Sequence, residues 1–291
     1  MMRRPAALLA LCTALALSAQ AVAADLPQRW VSAGGALSEW ISALGGESRL
    51  VGVDTTSQYP QSLRALPSVG YQRQLSAEGI LSLRPDLLVG TDEMGPPPVL
   101  AQVRKAGVQV EVLSSQATLT ALDHNLEQLG TLLGAADTAA QLTARYHQQI
   151  EAVQLQVRQA QQQHKAPGVV LLVGHAGTKP LIAGQGTAGD WVLRQAGARN
   201  LAQHQGYKNF SSEALAALDP QVLVVSDRAL DGEQALPALL KENPALATSR
   251  AVRDKRVVAL DPTLLVGGLG PRLPATLQAL VTTFYPTSAA Q

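Results

Sequence analysis

The stretch "SVGYQRQLSAEGILSLRPDLLVG", residues 68–90, contains a tyrosine that could act as a ligand and an arginine close enough in sequence to assist it. Tyr71 directly follows Gly70, and Arg73 lies two positions later, ahead of a segment typical of a helix followed by a strand. A free phenol has a pKa near 10, and a nearby guanidinium favours the phenolate through charge-assisted hydrogen bonding. A phenolate is a hard anionic oxygen donor, so Tyr71 is a candidate ligand whose role the residues alone leave open. The alternative is a tyrosine in a turn whose ring packs on the protein surface.

Two further candidates follow apolar runs that are typical of buried strands. His175 comes after "GVVLLVG", and Arg228 comes after "QVLVV". Open α/β sheets bind ligands beyond the carboxyl ends of their strands, so both positions suit a binding site. A histidine in such a place is more often an ordinary loop residue than a metal ligand, and a solvated surface arginine is the alternative for Arg228.

The glycine-rich segment "GGLGPRLP", residues 267–274, contains Arg272. It lacks the lysine and hydroxyl residue of a phosphate-binding P-loop. Its glycines are expected either to let the backbone pass close to a flat ligand or to form the turn before a final helix predicted at 273–284. Arg272 is thus a candidate ligand contact, and an arginine in solvent at a helix start is the alternative.

Glu78 and Glu213 each come shortly after a serine typical of a helix N-cap, in "SAE" and "SSE". We expect each carboxylate to close a capping box with its serine and to interact favourably with the helix dipole. These structural roles are sufficient to explain both residues, and they are compatible with exposure to a partner.

The elements that must position these side chains alternate along the whole chain. Short apolar runs bounded by glycine, proline or aspartate alternate with helical patterns, which predicts α/β lobes whose parallel sheets are covered on both faces. The segment 137–164 has no glycine or proline and is rich in helix-forming residues, so it is predicted as one long helix. It would join an N-terminal lobe, residues 25–136, to a C-terminal lobe, residues 165–291.

An internal repeat supports this division. "SAEGILSLRPDLLV", residues 76–89, aligns without gaps on "SSEALAALDPQVLV", residues 211–224. Just upstream, Gly70-Tyr71 corresponds to Gly206-Tyr207 one position out of register. Each lobe is therefore predicted to contain the same loop, capped helix, proline and buried strand.

Composition and the first residues indicate an exported protein with a small partner. Residues 1–24 have a basic start, an apolar run too short for a transmembrane helix, and small residues at their end, which is typical of a cleavable signal peptide. The only cysteine, Cys12, lies inside that segment, so no disulfide or Cys-ligated metal is expected in the mature chain. A net charge of +1 with 15% charged residues argues against nucleic acid and against stable membrane insertion or attachment.

Enzyme and nucleotide motifs are weak or missing. "GQGTAG", residues 184–189, formally matches G-x-G-x-x-G, but the first carboxylate at a suitable distance beyond it is Glu213, which is explained as a helix-start residue. The sequence has no G-x-S-x-G and no H-E-x-x-H. We therefore expect a binding protein and no enzyme.

The whole mature chain resembles the helix-linked periplasmic binding proteins of ABC importers for cobalamin, ferric siderophores or haem. Four segments are similar to the haem-binding members: "GVDTTSQYP", "LPSVGYQRQLSAEGILSLRPDLLV", "AGQGTAGDWVLRQAGARNLA" and "GGLGPRLP". The resemblance implies a monomeric periplasmic protein that binds ferric haem between its lobes. It also implies delivery to an inner-membrane permease dimer with its ATPase.

The resemblance implies roles for the candidate residues as well. Tyr71 would be the axial ligand of the haem iron, with Arg73 hydrogen-bonded to the phenolate oxygen. Arg228 would meet the phenolate or a haem propionate, Arg272 would reach a propionate, and His175 is a possible second ligand. Glu78 and Glu213 would dock on arginines of the two permease subunits.

Two other functions remain open on this sequence. The same scaffold could hold a siderophore or cobalamin, although a siderophore fully occupies its iron and would leave Tyr71 without a role. A chelatase-like enzyme on a similar two-lobed fold is the second alternative, and turnover of a porphyrin with a divalent metal would identify it.

Overall fold

The computed structural model describes residues 26–174, 181–227 and 235–286. The first lobe contains β1 (Trp30–Ala33), α1 (Gly35–Ala43), β2 (Leu50–Val53), β3 (Gly70–Tyr71), β4 (Gln74–Leu75), α2 (Ala77–Ser82), β5 (Leu87–Thr91), α3 (Pro97–Lys105), β6 (Gln109–Leu113) and α4 (Leu119–Leu133). The helix α5 (Ala136–Gln161) follows. The second lobe contains β7 (Gly168–Val173), β8 (Leu181–Ala183), α6 (Ala188–Gln195), β9 (Arg199–Asn200), β10 (Tyr207–Asn209), α7 (Ser212–Ala217), β11 (Val222–Ser226), α8 (Ala235–Glu242), α9 (Arg250–Arg253), β12 (Val257–Ala259) and α10 (Leu273–Phe284).

Each lobe is built on its own sheet, as the alternating pattern predicts. The first sheet is parallel in the order β2-β1-β5-β6, and residues of β1 and β5 are fully buried because helices cover both faces. The second has the order β10-β8-β7-β11-β12, with β9 also paired to β7. Its strands β7, β11 and β12 are parallel, whereas β8 and β10 add an antiparallel edge. The predicted α/β class with two lobes joined by one long helix is confirmed.

The joining helix α5 is shorter than the predicted span 137–164, because residues 162–164 form a turn. Pro167 lies just beyond, and a proline disfavours helical geometry in the residue before it. One face of α5 is buried, including Tyr146, Ile150 and Val153, and packs into a hydrophobic core that contains residues of both lobes. The helix is therefore part of the shared core rather than an exposed tether.

The internal repeat is reproduced in three dimensions. A constant offset of 135 positions relates α2 to α7, β5 to β11, and the N-cap Ser76 to Ser211. Each serine hydroxyl accepts a hydrogen bond of 3.1 Å from the backbone N–H three residues later. Arg84 and Asp219 occupy equivalent positions, and both have a positive φ, 46° at Arg84 and 43° at Asp219. These matches support the predicted duplication.

The glycine-rich segment contacts the first lobe. The backbone of Gly267 lies against Gly34, since a Cβ added to Gly267 would be 3.4 Å from the Gly34 Cα. The Ala36 N–H donates to the Val266 carbonyl at 3.3 Å. These glycines thus allow two backbones from different lobes to approach each other. The final helix begins and ends where the sequence predicts, at Leu273 and Phe284.

Several predictions fall on residues that the structure does not describe. The signal peptide at 1–24, His175 and Arg228 lie outside the described residues. Among the described residues, no helix combines the length and the apolar character needed to cross a membrane.

Candidate functional site

Tyr71 lies on a short hairpin beyond the carboxyl end of β2. The hairpin pairs Gly70 with Leu75 and Tyr71 with Gln74, and Thr55 N–H donates to the Gly70 carbonyl at 2.9 Å. Gly70 has a φ of 97°, and a Cβ there would lie 3.0 Å from the Gln74 carbonyl oxygen, so the turn requires glycine. Tyr71 is partly buried. The hairpin holds it at the sheet edge where parallel α/β folds bind ligands.

Arg73 is exposed in the turn of this hairpin and forms an ion pair with Glu93, to which its guanidinium donates a hydrogen bond. Glu93 lies two residues after β5, at the carboxyl edge of the same sheet. Among the hydrogen bonds of the described residues, none joins Arg73 to the Tyr71 phenol. The proposed bond from Arg73 to a phenolate therefore stays a prediction.

Gln72, between these two residues, is fully buried. Its side-chain Nε2 donates to Glu93 at 3.3 Å, and its backbone carbonyl accepts from the Gly95 N–H at 2.9 Å. Its side-chain oxygen is buried without a hydrogen-bond partner and lies beside Gly34. Gln72 thus joins the turn of the hairpin to the loop that carries Glu93 by both backbone and side-chain bonds.

Tyr207, on β10 of the second lobe, is 39% exposed as a whole residue, and the pKa of its phenol responds to charges of the first lobe. Burial raises the pKa of the Tyr207 phenol, and hydrogen bonding from the Gly189 backbone and the Thr187 side chain opposes this shift. The charge of Glu93 raises the same pKa further, whereas the charge of Arg73 lowers it. The pKa of the Tyr207 phenol is thus coupled to the charges of Arg73 and Glu93 in the first lobe.

Arg272 is held by two carboxylates and an aromatic ring. It donates two hydrogen bonds to Glu39, of 2.9 and 2.7 Å, and one of 2.8 Å to Asp261. Its guanidinium carbon lies 3.7 Å from the centre of the Tyr59 ring, a close cation–π contact. The structure thus places Arg272 in a polar network between the lobes, and its contact with a propionate stays a prediction.

Electrostatics in this network follow from burial and pairing. Burial raises the pKa of Glu39, although the hydrogen bonds and charge of Arg272 act against that shift. Burial also opposes ionisation of Asp261, but bonds from Thr263 and Arg272 outweigh it and lower the pKa of Asp261. Pairing with both carboxylates likewise outweighs burial at Arg272 and raises its pKa.

Glu78 and Glu213 lie in the first turns of α2 and α7, where their charges suit the helix dipole. Both are exposed. The expected capping boxes are wrong, because the third position after each serine is occupied by Gly79 and Ala214, which have no carboxylate. The two glutamates are thus matched surface charges, one on each lobe.

Among the described residues, no group of three or more His, Cys, Asp or Glu side chains could hold a bare metal ion. A metal that arrives inside its own macrocycle needs only an axial donor from the protein. A single tyrosine on a rigid hairpin, with charged groups around it, suits a ligand of that kind.

The sequence reading overlooked Glu93, although the repeat contains a signal for it. The offset of 135 that relates Ser76 to Ser211 also relates Glu93 to Arg228. Arg228 follows an apolar run typical of a buried strand, and Glu93 follows the corresponding run of the first lobe. Gln72 and Tyr59 carry no comparable sequence signal.

Residues 31–264 match the family model described as "Periplasmic binding protein". The structure is similar to a periplasmic heme-binding protein from Pseudomonas aeruginosa, with 61% identity and a TM-score of 0.88, covering 90% of this chain and 94% of that one. It is also similar to the periplasmic heme-binding protein HutB of Vibrio cholerae, with 39% identity and a TM-score of 0.78, covering 89% and 99%. A vitamin B12-binding protein from Pectobacterium atrosepticum is 27% identical over 220 residues, 75% of each chain.

Proposed function

The chain belongs to the periplasmic binding protein family, and from this premise we propose that it binds ferric haem between its lobes and delivers it to an inner-membrane ABC permease. The 61% identity to a periplasmic heme-binding protein over nearly the whole chain is the observation that carries the proposal. The vitamin B12-binding relatives are more distant, and that alternative is less supported. The protein works in the periplasm as a carrier, and we assign it no catalytic step.

Tyr71 is proposed as the axial ligand of the iron. Its phenolate is a hard donor that suits ferric iron, and the charge of the iron itself favours the deprotonated phenol. The hairpin contributes rigidity, because Gly70 and Gln72 are both hydrogen-bonded to neighbouring loops. A donor fixed in this way loses little conformational freedom when the ligand arrives.

The surrounding charges are proposed to hold the rest of the ligand. The propionates of haem are anionic, and Arg73, Arg228 and Arg272 are assigned to them or to the phenolate oxygen. His175 is proposed as a second axial ligand. Glu78 and Glu213 are proposed to contact the two permease subunits, since their matched placement on the two lobes suits a dimeric partner.

Ferric haem titration of the purified mature protein tests this function. Wild type, Tyr71→Phe, His175→Ala and Tyr146→Phe are compared by absorbance. The Tyr146 hydroxyl is buried in the core without a hydrogen-bond partner, so its removal is a matched control. We expect Tyr71→Phe alone to lose the phenolate-to-iron charge-transfer bands. His175→Ala should keep those bands and lose only the contribution of the second ligand, and Tyr146→Phe should bind haem as wild type does.

The same titration is repeated with cyanocobalamin and with a ferric siderophore. Saturable binding of either one, together with no haem spectrum in the wild type, would replace the proposed ligand. If all four proteins take up haem with identical spectra, haem remains the proposed transported ligand, but Tyr71 is not an axial ligand of its iron.

A further inference from the structure

Glu93 is the only carboxylate found in an ion pair with Arg73 in the described part of the chain. Arg73 is two residues from Tyr71, so their Cα atoms are at most about 7.6 Å apart. The Arg73–Glu93 pair therefore lies at the same hairpin turn as the Tyr71 ligand candidate. An arginine alone would present a full positive charge, whereas the pair is neutral overall.

We propose that Glu93 is a positioning residue for the haem iron, which neutralises Arg73 and holds its guanidinium beside the Tyr71 ligand. This inference rests on the proposed function, because it concerns the ligand that Tyr71 binds.

The placement of Glu93 is fixed by its surroundings. The loop that carries it is joined to the hairpin through Gly95 N–H and the Gln72 carbonyl, and Leu75 N–H donates back to the Gly95 carbonyl, each at 2.9 Å. One carboxylate oxygen accepts from Arg73 and the other accepts from the fully buried Gln72. Contacts at both oxygens fix the position of the carboxylate, and Arg73 meets it through one guanidinium nitrogen.

The two halves of the repeat carry residues of opposite charge at the position of Glu93. Glu93 in the first lobe corresponds to Arg228 in the second. The duplicated sequence thus has an acidic residue at this position in the first half and a basic residue in the second. Tyr207 is the further titratable group of the second lobe that the Arg73–Glu93 pair influences, and Asp92 is the acidic neighbour of Glu93 in its own loop.

The chemistry predicts a direction for each substitution. An uncompensated positive charge beside the phenolate lowers the energy of its electrons and weakens its donation to iron. Glu93→Gln should therefore shift the phenolate-to-iron charge-transfer band to shorter wavelength and make the ferric-to-ferrous reduction potential more positive. Arg73→Gln should shift both quantities in the opposite sense, and the double variant should lie between the two.

The test measures these two quantities on the ferric haem complexes of wild type and the three variants. In Glu93→Asp, which keeps the charge, the charge-transfer wavelength and the reduction potential should both be closer to the wild-type values than in Glu93→Gln. Glu111→Gln removes a carboxylate from β6 of the same sheet and should leave both quantities unchanged. Opposite shifts in Glu93→Gln and Arg73→Gln would be difficult to obtain from a merely structural role.

Two failures are distinguishable. A wild-type complex without a tyrosinate spectrum overturns the proposed function, and this inference with it. If the wild-type complex has a tyrosinate spectrum, two results overturn the role of Glu93 alone. Glu93→Gln could leave the charge-transfer band and the reduction potential unchanged, or it could shift them in the same direction as Arg73→Gln.

Discussion

Arg272 and Glu39 are 233 positions apart in the chain, yet they are joined by two parallel hydrogen bonds between α1 and the start of α10. The Glu39 side chain is only 5% exposed, whereas that of Arg272 is 30% exposed. Nearby, the Trp40 indole N–H donates to the Leu269 carbonyl at 2.7 Å. The contact between the lobes is therefore built from buried polar bonds as well as from the apolar core.

Removal of Arg272 should be strongly destabilising. Arg272→Met would leave Glu39 buried without its cation, and loss of one partner of a buried pair typically costs about 3–5 kcal/mol. Urea unfolding of the mature protein should therefore show a lower free energy of unfolding by roughly that amount. Arg250→Met breaks the solvent-exposed pair with Asp219 and should leave the unfolding midpoint close to that of wild type. Equal effects of the two variants would contradict this interpretation.

Asp261 should make the stability of the protein depend on pH. Its pKa is lowered in the folded state, so its contribution is present above the unfolded value near 3.9 and is lost as the pH falls through the folded value. Asp261→Asn should therefore cost free energy of unfolding at about pH 7 and progressively less below about pH 4. Urea titrations of both proteins at several pH values measure the difference. A cost that is the same at all pH values would indicate lost packing and no charge effect.

Tyr207 offers a haem-free test of the geometry between the lobes. Its phenol should ionise above the usual value near 10, because burial disfavours the phenolate. Glu93→Gln should lower this pKa, and Arg73→Gln should raise it, because the two charges act in opposite senses. The alkaline absorbance titration of each protein, minus that of its Tyr207→Phe counterpart, isolates this phenol. Identical curves would show that Tyr207 does not face the pair.

The elements of this fold follow from local sequence patterns to a large extent. The repeat, with its capping serine, short helix and buried strand, was visible because the same residue types recur at a fixed offset in both lobes. The final helix lies where the sequence predicts it, at about residues 273–284, and the proline in its first turn is typical of a helix start. Periodicity and capping are local properties, and a single sequence contains them.

The contacts between elements could not be obtained in the same way. The partners of Arg272, for example, are Glu39, Asp261 and Tyr59, which belong to three separate segments. An arginine near a helix start carries no information about which distant carboxylate it meets. For the same reason the sequence predicted Tyr71 and Arg73 as a pair but did not show that Arg73 binds Glu93. Long-range pairing depends on topology, which composition and spacing leave open.

Gly197 should be intolerant of substitution because it lies between three helices. It follows α6, its φ is 81°, and an added Cβ would lie 2.5 Å from a methyl carbon of Val157 on α5 and 2.9 Å from the Tyr285 hydroxyl oxygen. Gly45 has a φ of 83°, but a Cβ there would meet nothing within 4 Å. Gly197→Ala should therefore cost about 1–3 kcal/mol more than Gly45→Ala, since overpacking adds to the same backbone strain. Thermal and urea unfolding of the two variants measure this difference, and equal losses would contradict it.

Glu78 and Glu213 should be needed for haem delivery and dispensable for haem binding. Both are exposed in the first turns of equivalent helices, so a change there should leave the Tyr71 hairpin intact. Reversal of a surface charge at an interface mainly slows association and adds repulsion. Glu78→Lys and Glu213→Lys should therefore each reduce haem-dependent stimulation of the permease ATPase in proteoliposomes, and the double variant should reduce it most.

The control for this experiment is Glu127→Lys, the same reversal at an exposed position on α4. Because a two-lobed carrier on a dimeric permease needs both contacts at once, each single variant should lose most of the stimulation while its haem spectrum stays that of wild type. Stimulation lost equally in Glu127→Lys would indicate a general charge effect. Full stimulation in the double variant would place the permease contact on another surface of the lobes.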